Sequence, residues 1–180
     1  MLRPGTPPHI PVRWHALAAA IFALLAIAWT FPLVLHPSTH LTGPGIGDNV
    51  GFLWNFWWMR QALALHANVF HPDALVAPVG VDLTLHTHTA LPAFVGATLM
   101  GGLPVVAAQN VTILVSLFLN GFCAYRLAWR VSGDYGAAIV GGLVFAGSPY
   151  IGAHLNGHFT WSPRGRFRWS CSTARKRSRR

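Results

Sequence analysis

The sequence predicts an all-α membrane protein with three transmembrane helices and with juxtamembrane or re-entrant helices in a long first outer loop. Three observations predict it. Charged residues make up 9% of the chain against 53% hydrophobic, with a mean hydropathy of +0.43, whereas soluble domains run near a quarter charged. Three apolar runs, 16–35, 107–128 and 135–153, approach the roughly 20 residues that cross about 30 Å of hydrocarbon. The basic residues are also unevenly placed: eight of the thirteen lie between Arg164 and Arg180, which leaves a nearly neutral body. A net charge of +9 concentrated in this way does not describe a nucleic-acid-binding surface. The expected partner is instead the lipid bilayer.

Arg3 and Arg13 place residues 1–15 in the cytoplasm by the positive-inside rule. The run 16–35 is uncharged throughout. It is longer than a typical signal core and is followed by "FPLVLHPSTH" rather than a small-x-small cleavage site, which favours a retained span over a signal anchor. Residues 49–66 predict a helix lying at the interface, because Phe52, Trp54, Phe56, Trp57 and Trp58 have the composition of an aromatic belt. The stretch "HPDALVAPVGVDLTLHTHTALP" is punctuated by Pro and Gly, as an ordered loop is. Residues 89–105 are apolar but short and interrupted by Pro92, Gly101, Gly102 and Pro104, which predicts a re-entrant or short helix. The span 107–128 carries Asn120 and Tyr125 as expected interhelical polar contacts. In 135–153, Ala138, Gly142 and Ala146 recur every four positions, which suits close helix packing.

The number of crossings follows from the connector "RLAWRVSGD". A full crossing by 89–105 gives four spans and leaves Arg126 and Arg130 outside. A re-entrant 89–105 gives three spans and places both inside, and the breakers in that segment favour three. The segment "SPYIGAHLNGH" then emerges on the same side as Asp48. The membrane module covers 16–158. Residues 159–180 lose all periodicity and read as a basic disordered tail, either a polybasic segment attracted to anionic lipid or translation out of frame.

Chemistry is sparse. The four acidic residues are all Asp, and Asp48 stands where the aromatic helix begins. Two readings of it stand: a helix cap, and a carboxylate at the membrane surface serving as general base or contacting a divalent metal. His86 and His88 share a face if extended, and His154 and His158 stand four apart. Neither pair has a third ligand or a glutamate at diagnostic spacing for zinc, and their other reading is hydrogen bonding in an interfacial loop or to an anionic head group. Cys123 and Cys171 form neither a disulfide framework nor a metal spacing. The tryptophans read as membrane anchors or as a sugar-stacking platform. No phosphate-binding glycine loop, nucleophile elbow or nucleotide fingerprint occurs.

The order "GDNVGFLWNFWWMRQAL", "HPDALVAPVGVDLTLHTHTALP", "AYRLAWRVSGDYGAAIVGGLVFAGSPYIGAHLNGH" after a first span resembles the N-terminal part of bacterial integral-membrane glycosyltransferases of the GT-C class, over roughly 12–158. The resemblance implies multi-pass residence in the bacterial inner membrane and a polyprenyl-phosphate-linked sugar as donor. It implies Asp48 as catalytic base or metal contact, with Asn49 where the class often has a second acid. It also implies His154, Asn156 and His158 as substrate-binding groups, to which the head-group reading adds His86 and His88, and a fragment that is inactive without later spans. The chemistry implied is inverting transfer, in which the protein mostly orients the reactants and stabilises charge. The alternative is a non-enzymatic small membrane protein, an assembly subunit or a transporter fragment. A transport path would be marked by ionisable residues within the spans, and the expected spans hold essentially none.

Overall fold

The computed structural model describes residues 11–43, 48–86 and 89–155. His88, Asn156, His158 and the tail 159–180 lie outside them. The described elements are all helical: α1 (Val12–Thr30), α2 (Asp48–Leu65), α3 (Ala90–Leu99), α4 (Val105–Ser132), α5 (Tyr135–Ala146) and α6 (Pro149–Leu155), with a 3-10 turn at Leu33–Leu35.

α1 starts after Pro11 and stops before Pro32. Phe31 is extended, at φ −58° and ψ 136°, as the residue before a proline must be. The expected span 16–35 is therefore displaced to 12–30, because Pro32 ends the helix where a hydropathy reading runs on. α4 follows Pro104 and closes at Gly133, whose φ of 68° is the left-handed conformation that glycine adopts without strain. It extends the expected 107–128 at both ends. The expected continuous span 135–153 is two helices, α5 and α6, bent by 40°. Pro149 has no N–H to carry the α5 ladder onward, and the Gly147 N–H turns back to Leu143 O and Phe145 O. The helices α1 and α4 are each long and apolar enough to cross a membrane, and α5 with α6 makes a third candidate if the bent pair counts as one span.

α1, α4 and α5 share a core of Ala18, Phe22, Tyr125, Trp129, Ala138 and Ala146. The buried residues of α5 are Ala138, Gly142 and Ala146, the small-residue stripe expected. A Cβ at Gly142 or Gly121 would collide with the Phe22 ring, so the aromatic side chain fits only because both backbones are bare there. Tyr125 is an interhelical contact, its hydroxyl 2.8 Å from His15 Nδ1. Asn120 is not. It is exposed on the face of α4 that borders α2 and α6, away from the core side at Gly121 and Tyr125.

Hydrogen bonds sort the chain between two ends of this bundle. At one end the Tyr135 hydroxyl donates to Trp14 O (3.3 Å), which joins the start of α1 to the start of α5. At the other, Asn110 Nδ2 donates to Pro37 O and His40 O (both 2.7 Å), and Asn49 Nδ2 to Leu155 O (3.2 Å). The segment 36–43, the start of α2 and the last turn of α6 therefore lie together, away from the α4–α5 connector.

α2 and α3 stay at that second end. Asn55 Nδ2 donates to the Thr89 hydroxyl (3.4 Å), and the Arg60 guanidinium donates to Leu103 O (2.7 Å) and Met100 O (2.9 Å). Both flanks of α3 are thereby tied to α2. The reading of Trp54, Trp57 and Trp58 as membrane anchors needs correction at Trp58, which is 6% exposed and donates from Nε1 to Val69 O (2.9 Å). The loop after α2 folds back over it, bringing Leu75, Val81 and Leu83 onto the same cluster. Of the three, only Trp57 is classed as exposed.

Candidate functional site

The second end of the bundle is where polar side chains converge. Asp48 is the first residue of α2, exposed, in the first turn where a carboxylate meets the positive end of the helix dipole. The residues just before it, 44–47, lie outside the described residues.

The buried polar residue is its neighbour. Asn49 is 7% exposed, and its Nδ2 donates to Thr42 O (2.7 Å) and Leu155 O (3.2 Å) with the Thr42 hydroxyl at 3.4 Å. Its backbone oxygen accepts from Gln109 Nε2 (3.2 Å). One residue therefore ties together the loop before α2, the start of α4 and the end of α6. An Asn in that position has a structural task that an acid could not perform, because only the amide offers two donors to two carbonyl oxygens. Sequence reasoning treated Asn49 only as the absence of a second acid. The available signal was a polar side chain beside Asp48 on an otherwise aromatic helix.

His154, on α6, is brought to the same end. Its Nδ1 lies 2.8 Å from Tyr150 O, so Nδ1 carries a proton and donates to that carbonyl. His86 sits in an exposed turn, with its backbone N–H donating to Leu83 O (3.1 Å), and it lines neither of the two cavities described below. His88, Asn156 and His158 lie outside the described residues. Near His86, Asp82 Oδ1 accepts from the Thr84 N–H (2.8 Å) and from the Thr84 hydroxyl. These bonds hold the Asp82 carboxyl below the usual carboxylate range.

Two cavities open at this end. One of about 480 Å³ lies between the C-terminal end of α1 and the segment that follows, against Trp29, Phe31, Leu35, His36 and His40. The His36 and His40 rings stand 4.6 Å apart between centroids, a pair the sequence reading passed over. The other is a groove of about 340 Å³ between α2, α4 and α6, lined by Asn49, Phe56, Gln109, Asn120, Tyr150 and His154 among others. Thr42 and Leu155 line both, so the Asn49 knot forms the partition between them. Among the described residues no group of three or more His, Cys, Asp or Glu side chains could hold a metal ion. The arrangement offers one exposed carboxylate at the start of α2, a histidine on α6, and a groove with apolar walls and amide side chains along it. Comparison with protein-family models, curated proteins and solved structures finds no match for this chain.

Proposed function

We propose that this chain is a membrane module of a GT-C-type glycosyltransferase that uses a polyprenyl-phosphate-linked sugar at the outer face of the bacterial inner membrane. It crosses three times, through α1, α4 and the bent α5–α6 pair. The observation that supports this reading most is the convergence of the start of α2 and the end of α6, joined by the 3.2 Å bond from Asn49 to Leu155 O. That bond puts Asp48 and His154 at one end of the bundle, next to a groove open to an amphipathic ligand.

In this reading Asp48 takes the proton of the acceptor hydroxyl as its oxygen bonds to the anomeric carbon of the donor. The bond from that carbon to the lipid phosphate breaks, and its electron pair leaves with the phosphate. Phosphate is a good leaving group, so orientation and charge stabilisation are the protein's main contributions. His154, which lines the groove, is the histidine proposed to contact the sugar. His86, His88, Asn156 and His158 belong to this proposal by the sequence reading alone.

The experiment is transfer of labelled sugar from a polyprenyl-phosphate donor in membranes, by the protein supplied with the further hydrophobic spans that this reading calls for. Asp48→Asn keeps the shape and removes the charge and the basicity, and it is expected to abolish transfer while the protein still inserts and folds. Near-normal transfer by Asp48→Asn would show that the carboxylate serves only the helix. Absence of transfer by the parent chain with every polyprenyl-phosphate sugar tried would overturn the transferase reading.

A further inference from the structure

The groove between α2, α4 and α6 has a hydrogen-bonding asymmetry that its apolar walls do not explain. Gln109, Thr112, Ser116 and Asn120 stand on one face of α4 at spacings of three, four and four, and all of them line the groove. Eleven residues of helix rise about 16 Å, so this polar stripe runs well into the apolar body of α4.

What the stripe offers can be read atom by atom. Gln109 is 2% exposed, and its Nε2 donates to Asn49 O at 3.2 Å. That bond fixes the amide, since the flipped side chain would set oxygen against oxygen. The Gln109 Oε1 so oriented has no hydrogen-bond partner, although a buried unsatisfied carbonyl is costly and therefore rare. The hydroxyls of Thr112 and Ser116 spend their protons on the helix, donating to Ala108 O and Thr112 O (both 2.8 Å), and keep only lone pairs for a ligand. Among the described residues no Asp, Glu, Lys or Arg lines the groove. Phe52, Phe56, Pro92, Ile113, Leu117 and Ile151 supply its apolar walls.

We propose that this groove binds a single-chain amphipath with an uncharged polyhydroxyl head, whose hydroxyl groups donate to Gln109 Oε1 and to the oxygens of Thr112 and Ser116. A phosphate head consists of acceptors and would meet acceptors at Gln109 Oε1, Thr112 and Ser116, although the Asn120 amide farther along the stripe also offers donors. An ammonium head could donate but would find no carboxylate to balance its charge. A hydroxyl donates without carrying charge, and the apolar walls take the chain. This inference adds to the transferase reading a residue that senses the ligand's hydroxyl groups. It is tested by binding alone, so that failed transfer leaves it standing and failed binding leaves Asp48 untouched.

The test uses the full chain in phosphatidylcholine nanodiscs, with native mass spectrometry reading the retained ligand. The probes are octyl β-glucoside, its tetra-O-methyl ether, which keeps every oxygen but has no donor, and octyl phosphate. The glucoside is expected to bind about tenfold more tightly than the methyl ether, and octyl phosphate more weakly than the glucoside. Gln109→Met, which keeps the volume and removes the acceptor, is expected to bring the glucoside within about threefold of the ether. Equal binding of glucoside and ether by the unmodified chain, or tighter binding of octyl phosphate, would overturn the proposal. Because that comparison needs no substitution, a Gln109→Met chain that fails to fold leaves the test intact.

Discussion

Asn49→Asp is the substitution that most sharply separates what the position does from what its neighbourhood suggests. It is isosteric, and it would create an acidic pair with Asp48. In the structure, however, Nδ2 of Asn49 faces two carbonyl oxygens, Thr42 O at 2.7 Å and Leu155 O at 3.2 Å. An aspartate replaces two donated hydrogen bonds, worth about 1 kcal/mol each, with a carboxylate oxygen set against two lone pairs at a residue that is 7% exposed. Burial of an unpaired charge adds several kcal/mol unless the group protonates. The expected loss is therefore about 2 kcal/mol for Asn49→Ala and at least as much for Asn49→Asp at neutral pH, despite the better fit. The sign of the pH dependence follows. The introduced carboxyl has its folded pKa raised by burial and by the facing carbonyls. Stability of the variant is then highest below the unfolded carboxylate value near 3.9 and falls as pH rises through the folded pKa. Thermal unfolding of purified protein between pH 4 and pH 8, followed by loss of helical circular dichroism, reads this directly. An Asn49→Asp variant as stable as the parent at pH 8 would refute the reasoning, because it would mean that the Nδ2 bonds contribute nothing.

Three further outcomes follow from the packing and the charges. Gly142→Ala sets a Cβ against the Phe22 ring and within 3.0 Å of both Gly121 O and Tyr125 Cβ; overpacking of this kind costs about 1–3 kcal/mol, and Phe22→Leu in the same chain should restore part of it in a melting experiment. Arg60→Met removes both guanidinium bonds to the turn after α3, and limited proteolysis should then cut between residues 100 and 104 at least several-fold faster than in the parent. Thr84→Val removes the hydroxyl bond that helps hold the Asp82 carboxyl low, so carboxyl-carbon NMR should show Asp82 titrating at higher pH. That contribution is present above the unfolded pKa of Asp82 and is lost as pH falls through the folded one.

The helices were legible where periodicity and breakers agreed. The small-residue stripe of α5 was read from spacing alone because Ala138, Gly142 and Ala146 all fall on one helical face, and the structure buries all three. The short helix before Pro104 was read from its breakers. The ends of α1 were misjudged because hydropathy treats Pro32 as one residue in an average, whereas its ring decides the local geometry. The break at Pro149 escaped for the same reason. The candidate site was half legible. Asp48 stands out because carboxylates are rare in this chain. Asn49, Gln109 and Asn110 do not stand out, since an amide becomes informative only when the carbonyls it reaches are known, and those lie 106, 60, 73 and 70 residues away in sequence. Trp58 was assigned to lipid because nothing local reveals that the loop after α2 folds over it.

The account depends most on one arrangement: Asp48, the groove and the end of α6 face one side of the membrane, and the N-terminus with the α4–α5 connector faces the other. Single cysteines at Ser38 and at Ser132, each in a background with Cys123→Ser and Cys171→Ser, test it through labelling by a membrane-impermeant maleimide in intact cells and in inverted vesicles. The account predicts that the cysteine at 38 is labelled from outside and the cysteine at 132 only in inverted vesicles. Labelling of both positions from the same side would contradict it.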